Sequence, residues 1–190
     1  MARSQAFIDS IIKAITNDLA GPQSRIHTLF ANNIIGGWEG WLQVEAAAQI
    51  IADGNAATFA REAMYLAPGG GVMGAQKCDL MMLPARGIQI FIELKTQRYA
   101  TYAKHVQDFI DDIDKIVGLG PDWNRTFPAI AMVCMQANQA RFQQIYADIN
   151  RKECDIWARR NDGSFGTGKL SAAVNMTWNN QFAIVAWANS

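Results

Sequence analysis

Asp79, Glu93 and Lys95 are the residues whose types and spacing offer chemistry. Asp79 opens a short apolar run that ends at Leu83, and Glu93 and Lys95 lie near the end of the next run, Ile88 to Thr96, in the order Glu-Leu-Lys. Side chains alternate faces along a strand, so Glu93 and Lys95 share a face with Gln89, Phe91 and Gln97. Ile88, Ile90, Ile92 and Leu94 then make the opposite, core face. A carboxylate and an ammonium on a half-buried strand are costly unless paired or bound to something. Pro84-Ala85-Arg86-Gly87 reads as a turn, so Asp79 enters from the neighbouring strand. Two carboxylates meeting across a hairpin beside a lysine suit a hard divalent cation and a water. The competing reading is a structural ion pair in an unrelated α/β domain.

The elements that must position these residues are legible in the apolar pattern. Residues 4 to 19 read as a helix capped by Ser4, with Phe7, Ile8, Ile11, Ile12, Ile15 and Leu19 in one stripe. Ala20-Gly21-Pro22 ends it, and residues 24 to 33, with His27, read as a short second helix. Gly36-Gly37 breaks the chain before a strong helix at 38 to 52, whose expected buried stripe is Trp41, Val44, Ala48 and Ile51. Glu45 sits at the edge of that stripe and Glu39 on the other side. Residues 57 to 66 form a strand, followed by Pro68-Gly69-Gly70-Gly71 and Gly74. That glycine run lacks GxGxxG spacing and reads as a mobile loop over the site rather than a phosphate cradle.

Asp79 to Leu83 and Ile88 to Thr96 complete three antiparallel strands. Residues 103 to 118 are a helix with Val106, Phe109, Ile110, Ile113 and Val117 inward. Asp108, Asp111, Asp112 and Asp114 are spread over its expected solvent face. Pro128 to Met135 is a continuous apolar run, expected as a buried parallel strand. Asn138 caps a helix running to Asn150. Cys154 to Arg159 and Gln181 to Ala188 are strands, with a polar, glycine-rich loop between them.

The Asp strand, the Glu-x-Lys strand and a helix on either side resemble the PD-(D/E)XK nuclease superfamily, whose fold is restriction-endonuclease-like. Its signature is an acidic residue at the start of one strand, then (Asp/Glu)-x-Lys in the next. Glu93-Leu94-Lys95 fits the second motif, while Cys78 stands before Asp79 where the family has a proline. The resemblance covers residues 38 to 135. It implies an α/β fold with an αβββαβ core, a mixed sheet flanked by helices, within a single nuclease-like domain over residues 1 to 190. Residues 1 to 37 would be a helical N-terminal extension and 136 to 190 a C-terminal helix and strands.

The resemblance further implies a metal-dependent endonuclease that hydrolyses phosphodiester bonds, in DNA first and with RNA not excluded. Asp79, Glu93 and the backbone carbonyl of Leu94 would hold Mg²⁺, with Mn²⁺ as a substitute. Glu45 would add the carboxylate that the family often takes from the preceding helix. Lys95 would orient or help deprotonate the attacking water, and Gln97 would assist on the same face. Arg61, Lys77, Arg86, Arg98, Lys104 and Gln107 are candidates for nucleic-acid contact. A restriction, repair or toxin role would fit, with a homodimer or, for a toxin, an immunity protein as partner. The alternative on the same fold is a non-catalytic module that binds nucleic acid or protein.

Composition bounds these readings. The 190 residues suit one domain, and half are hydrophobic, including six tryptophans, which suffices for a sizeable core. Lysine and arginine number 17 and so do aspartate and glutamate, a balance without the basic surplus of many nucleic-acid binders. Cys78, Cys134 and Cys154 are widely spaced, which indicates neither a disulfide framework nor a zinc site. The N-terminus does not read as a signal peptide and no apolar run approaches a membrane span, so a cytoplasmic location is expected. Residues 163 to 169 satisfy GxxxxGK, but Leu170 stands where a phosphate loop needs Ser or Thr, so a hairpin or loop is expected there. His27 and His105 lack the spacing of metal ligands.

Overall fold

The computed structural model describes residues 2–20, 25, 26, 28, 38–96, 102–149, 152–159, 165–175 and 181–189. The elements are α1 (Ala2–Ala20), α2 (Trp38–Ala52), β1 (Thr58–Leu66), β2 (Val72–Leu83), β3 (Ile90–Thr96), α3 (Tyr102–Gly118) and α4 (Pro121–Thr126). They continue with β4 (Ala129–Ala137), α5 (Gln139–Asp148), β5 (Asp155–Arg159), β6 (Phe165–Lys169), α6 (Leu170–Ala173) and β7 (Gln181–Ala188). The described strands form one seven-stranded sheet in the order β1-β2-β3-β4-β7-β5-β6. β3 and β4 pair in parallel, which requires a crossover connection such as the one α3 and α4 supply, and the other pairs are antiparallel.

The sheet is mixed and covered on both faces. One core joins α1 and α2 to Leu80, Ile92, Ile130 and Ile184, and the other joins α3, α4, α5 and α6 to Phe91, Ala131, Val133 and Val185. This double covering explains the unbroken apolar run of β4. Ile130, Met132 and Cys134 enter the first core, while Ala129, Ala131, Val133 and Met135 enter the second. β4 lies between β3 and β7, so the site strand β3 rests on a strand whose residues 129–135 are all buried.

The α1 stripe is as expected, with Phe7, Ile8, Ile11, Ile12, Ile15 and Leu19 buried. Truncating a fully buried member such as Ile11 to Ala should cost about 2–5 kcal/mol. Ser4 lies inside α1 rather than at its cap. Asn138 caps α5, its side chain accepting from the Arg141 amide at 3.1 Å. His27 and most of the short helix expected around it lie outside the described residues.

Four expectations need correction. The buried stripe of α2 is Trp38, Leu42, Gln43, Ala46, Ala47 and Ile50, and Val44 is exposed. Three consecutive alanines make this helix apolar on several sides, so the pattern alone does not select the stripe. Asp112 is buried on α3, while Val117 is exposed. The glycine run at 69 to 71 closes the β1–β2 hairpin, with all three glycines at φ between 85° and 103°, the Ala67 amide donating to the Gly71 carbonyl and the Gly70 amide to the Ala67 carbonyl. Finally, the polar stretch after β5 is not loop throughout: residues 165 to 169, within the segment expected as a hairpin or loop, form β6 and pair antiparallel with β5 along its length, as the hairpin alternative has it.

Candidate functional site

The site forms where β2 and β3 part. Their ladder runs Met82↔Ile90, Met81↔Phe91 and Leu80↔Ile92, and then ends. Beyond it, the Asp79 carboxylate takes the place of a strand: Oδ2 accepts the Leu94 amide at 2.6 Å. The strand alternation also breaks here. Leu80 and Met82 belong to the α1–α2 core, but Cys78, expected on the same face, lies in the opposite core. In β1, Arg61 bonds Gln43 of α2 while Tyr65 enters the opposite core. Glu62 sits between the pairs Arg61↔Leu80 and Ala63↔Cys78, across from Asp79, at φ 50°. It is the only described non-glycine residue at positive φ, a local strain of about 1–3 kcal/mol. The kink turns both strands and aims Asp79 into the notch beside β3.

Five charged side chains meet in that notch. Lys95 Nζ lies 3.6 Å from Asp79 Oδ2 and 3.2 Å from Asp112 Oδ2. Lys115 Nζ lies 2.5 Å from Glu93 Oε1 and 3.2 Å from Asp112 Oδ1. The Tyr65 hydroxyl donates a short hydrogen bond to Glu93 Oε1. Tyr65 is held by aromatic neighbours, stacked on Phe91 at 5.2 Å and edge-on to Trp123 at 5.4 Å. Trp123 is itself fixed by donating to the Leu66 carbonyl at 2.8 Å. Asp112 Oδ2 is buried, and its nearest charged neighbour is the Lys95 ammonium at 3.2 Å.

Burial sets the electrostatics. Glu93 is 2% exposed, and desolvation, followed by the Asp112 charge, pushes its carboxyl up to about 7 against the pull of Lys115. Desolvation also raises Asp112, opposed by Lys95 and Lys115. For Lys95 and Lys115 burial works the other way and is outweighed. Asp112 and then Asp79 raise Lys95, and Glu93 raises Lys115, so both stay ammonium ions. Burial pushes the Cys78 thiol up to about 12, which makes it inert as a nucleophile.

When all three carboxyl groups are ionised, they stand against two ammonium groups and leave one negative charge in excess. The donors are all oxygens, the chemistry a hard divalent cation prefers. Among the described residues, however, no group of three acidic, His or Cys side chains closes around a common point as a metal shell. The Lys115 ammonium stands between Glu93 and Asp112. The donor chemistry therefore fits a cation, and the space between two of the donors is filled by a lysine.

Comparison with protein-family models, with curated proteins and with solved structures finds no match to this chain.

Of the residues expected at the site, the structure brings together Asp79, Glu93 and Lys95. Glu45 is placed elsewhere: it accepts from Trp41 Nε1 at 3.0 Å and Arg25 Nη1 at 3.2 Å in a cleft between α1 and α2. Glu39 is the α2 carboxylate that reaches β3, where Oε2 accepts the Thr96 amide at 3.3 Å. Gln97 and Arg98 lie outside the described residues. Arg61 is held by Gln43, and Arg86 occupies the turn beyond the far end of the β2–β3 ladder. Lys77 and Lys104 are exposed, and Gln107 is exposed and bonds Asp111.

Tyr65 and Lys115 are not among the residues expected at the site, and Asp112 is expected on the solvent face of its helix. For Asp112 a signal existed. It lies three residues after Phe109 and four before Ile116, inside the stripe that α3 buries. Tyr65 and Lys115 depend on the kink and on how α3 docks, which no local pattern encodes.

Proposed function

We propose that this chain is a metal-dependent endonuclease that hydrolyses phosphodiester bonds in DNA, on a core arranged like that of the PD-(D/E)XK nucleases. The observation that carries the reading is the convergence of Asp79, Glu93 and Lys95 where β2 and β3 part. The order α2, β1–β3, α3, β4 agrees with the helix–three strands–helix–strand order of that family, with the short α4 added. Asp79 and Glu93 would hold Mg²⁺ or Mn²⁺ with the Leu94 carbonyl, and Glu39 rather than Glu45 takes the part of the helix carboxylate. Such an ion, when bound, lowers the pKa of a coordinated water and polarises the phosphate. Lys95 is kept charged by Asp112 and Asp79 although burial opposes it, so its role is to steady negative charge on the phosphate and orient water, not to remove a proton. The exposed Lys77, two residues before Asp79, is placed to meet a phosphate backbone.

Incubation with supercoiled plasmid tests this reading. Nicking is expected with Mg²⁺ or Mn²⁺, lost with EDTA, and reduced about a hundredfold or more in Lys95→Ala. A second reading, a non-catalytic module with a structural ion network, is favoured by the Lys115–Glu93 pair that fills part of the site. Plasmid, linear DNA, single-stranded DNA and RNA all left intact under both metals would decide for it.

A further inference from the structure

We infer that Lys115 is the notch's built-in counter-ion, held on the Glu93 carboxylate that a divalent cation would take, and that it swings out when such an ion enters. This rests on the metal-dependent reading of the same notch.

The surroundings of the Lys115 ammonium are those of a bound cation. Glu93 Oε1 lies at 2.5 Å, Asp112 Oδ1 at 3.2 Å and the Lys77 carbonyl oxygen at 3.3 Å. Two carboxylates and a carbonyl are also the donors a hard metal ion takes. The Tyr65 ring lies 5.8 Å from the ammonium, a further contact favouring positive charge there.

Charge counting gives the exchange its direction. Asp79, Glu93 and Asp112 carry three negative charges when ionised, and Lys95 and Lys115 supply two positive ones. Adding a divalent ion to that set leaves an excess of one positive charge. Replacing Lys115 by the ion, with Lys95 retained, balances the set. In a buried site an unmatched charge is expensive, so the exchange is favoured over simple addition. The geometry allows it: Lys115 lies in the last turn of α3, its side chain is 22% exposed, and its stem is flexible. Asp112 bridges the two lysines, Oδ1 facing Lys115 and Oδ2 facing Lys95, so its Lys95 contact can persist when Lys115 leaves.

The test is Mn²⁺ binding by calorimetry on the full chain, in wild type, Lys115→Gln and Lys115→Arg. Removing the competing charge should tighten Mn²⁺ binding about tenfold or more in Lys115→Gln, whereas Lys115→Arg, which keeps the charge, should show no such gain. A readout on the wild-type chain covers the case in which Lys115→Gln folds poorly. Acetylation of Lys115, followed by mass spectrometry, should rise several-fold when Mn²⁺ is added. Wild-type binding of Mn²⁺ with unchanged or weaker affinity in Lys115→Gln, and Lys115 no more reactive with Mn²⁺, would overturn the exchange while leaving the metal site standing. No Mn²⁺ binding in wild type or in Lys115→Gln would overturn both the exchange and the metal-dependent reading.

Discussion

Glu93 on β3 and Glu45 on α2 are each paired with a basic side chain, and the two pairs differ in kind. Glu45 meets Arg25 in a cleft of about 370 Å³ between α1 and α2, with side chains 37% and 59% exposed. Arg25 lies over the Trp41 ring and also bonds Asp18, so each group keeps water or alternative partners. Glu93 meets Lys115 in the notch between β2 and β3, walled by aromatic rings, where little water reaches it. The same ion pair is worth about 1 kcal/mol at 4 Å in water and about 4 kcal/mol in a medium of intermediate dielectric. Desolvation costs rise along with that gain. Similar residues thus make a surface network in one region. In the other they make a buried cluster in which desolvation opposes the ionisation of Glu93 and Asp112.

The sharpest break of this comparison is Glu93→Gln. The Glu93 carboxyl is raised from its ordinary 4.5 to about 7, so between those pH values the folded protein holds a proton that the unfolded chain has released. Stability contributed by this group therefore falls as pH rises from about 4.5 to about 7 and is level above that window. Asp112, raised by its own burial, acts in the same direction. Gln imitates the protonated form and leaves two carboxylates against two lysines. Urea unfolding in EDTA should find Glu93→Gln more stable than wild type by on the order of 2–3 kcal/mol at pH 8, with the gain shrinking towards pH 5. A variant less stable than wild type at pH 8 would mean that the Lys115 pair outweighs the desolvation of Glu93.

Tyr65→Phe should act in the opposite direction and more weakly. It keeps the contacts with Phe91 and Trp123 but removes the hydroxyl that donates to Glu93. A buried carboxylate that loses one donor should cost about 1–2 kcal/mol at pH 8. The cost should shrink at pH 5, where Glu93 is protonated and needs that donor less. Equal losses at both pH values would assign the effect to packing rather than to the carboxylate.

The two regions also show what a sequence exposes and what it hides. The sheet order around the site was legible because each clue was local. Asp79 to Leu83 and Ile88 to Thr96 are joined by a turn-forming Pro-Ala-Arg-Gly, and the continuous apolar run from Ala129 has to be buried on both faces. That Glu93 and Lys95 point together followed from strand period alone. The α2 stripe was not legible, because Ala46, Ala47 and Ala48 are small and apolar on neighbouring sides, and neither was which of Glu39 and Glu45 reaches β3. Asp112 was hidden by its company, since Asp108, Asp111 and Asp114 are at least partly exposed on the same helix. Lys115 pairs with a glutamate 22 positions earlier only because α3 packs back on β3, a tertiary fact with no local signature.

The smallest expected effect belongs to the cleft. Glu45→Gln removes the charge facing Arg25 but retains an oxygen that can accept from Trp41 Nε1. Arg25 keeps its contact with Asp18 and its position over the Trp41 ring. An exposed pair of this kind contributes little, so the change in unfolding free energy should stay within about 0.5 kcal/mol and fall further in high salt. On the proposed function, plasmid nicking by Glu45→Gln should match wild type. A large loss of nicking with stability unchanged would return Glu45 to the site and require α2 to shift when nucleic acid binds. A large loss of stability would show instead that this cleft is as tightly coupled as the notch around Glu93, and that exposure does not divide the two.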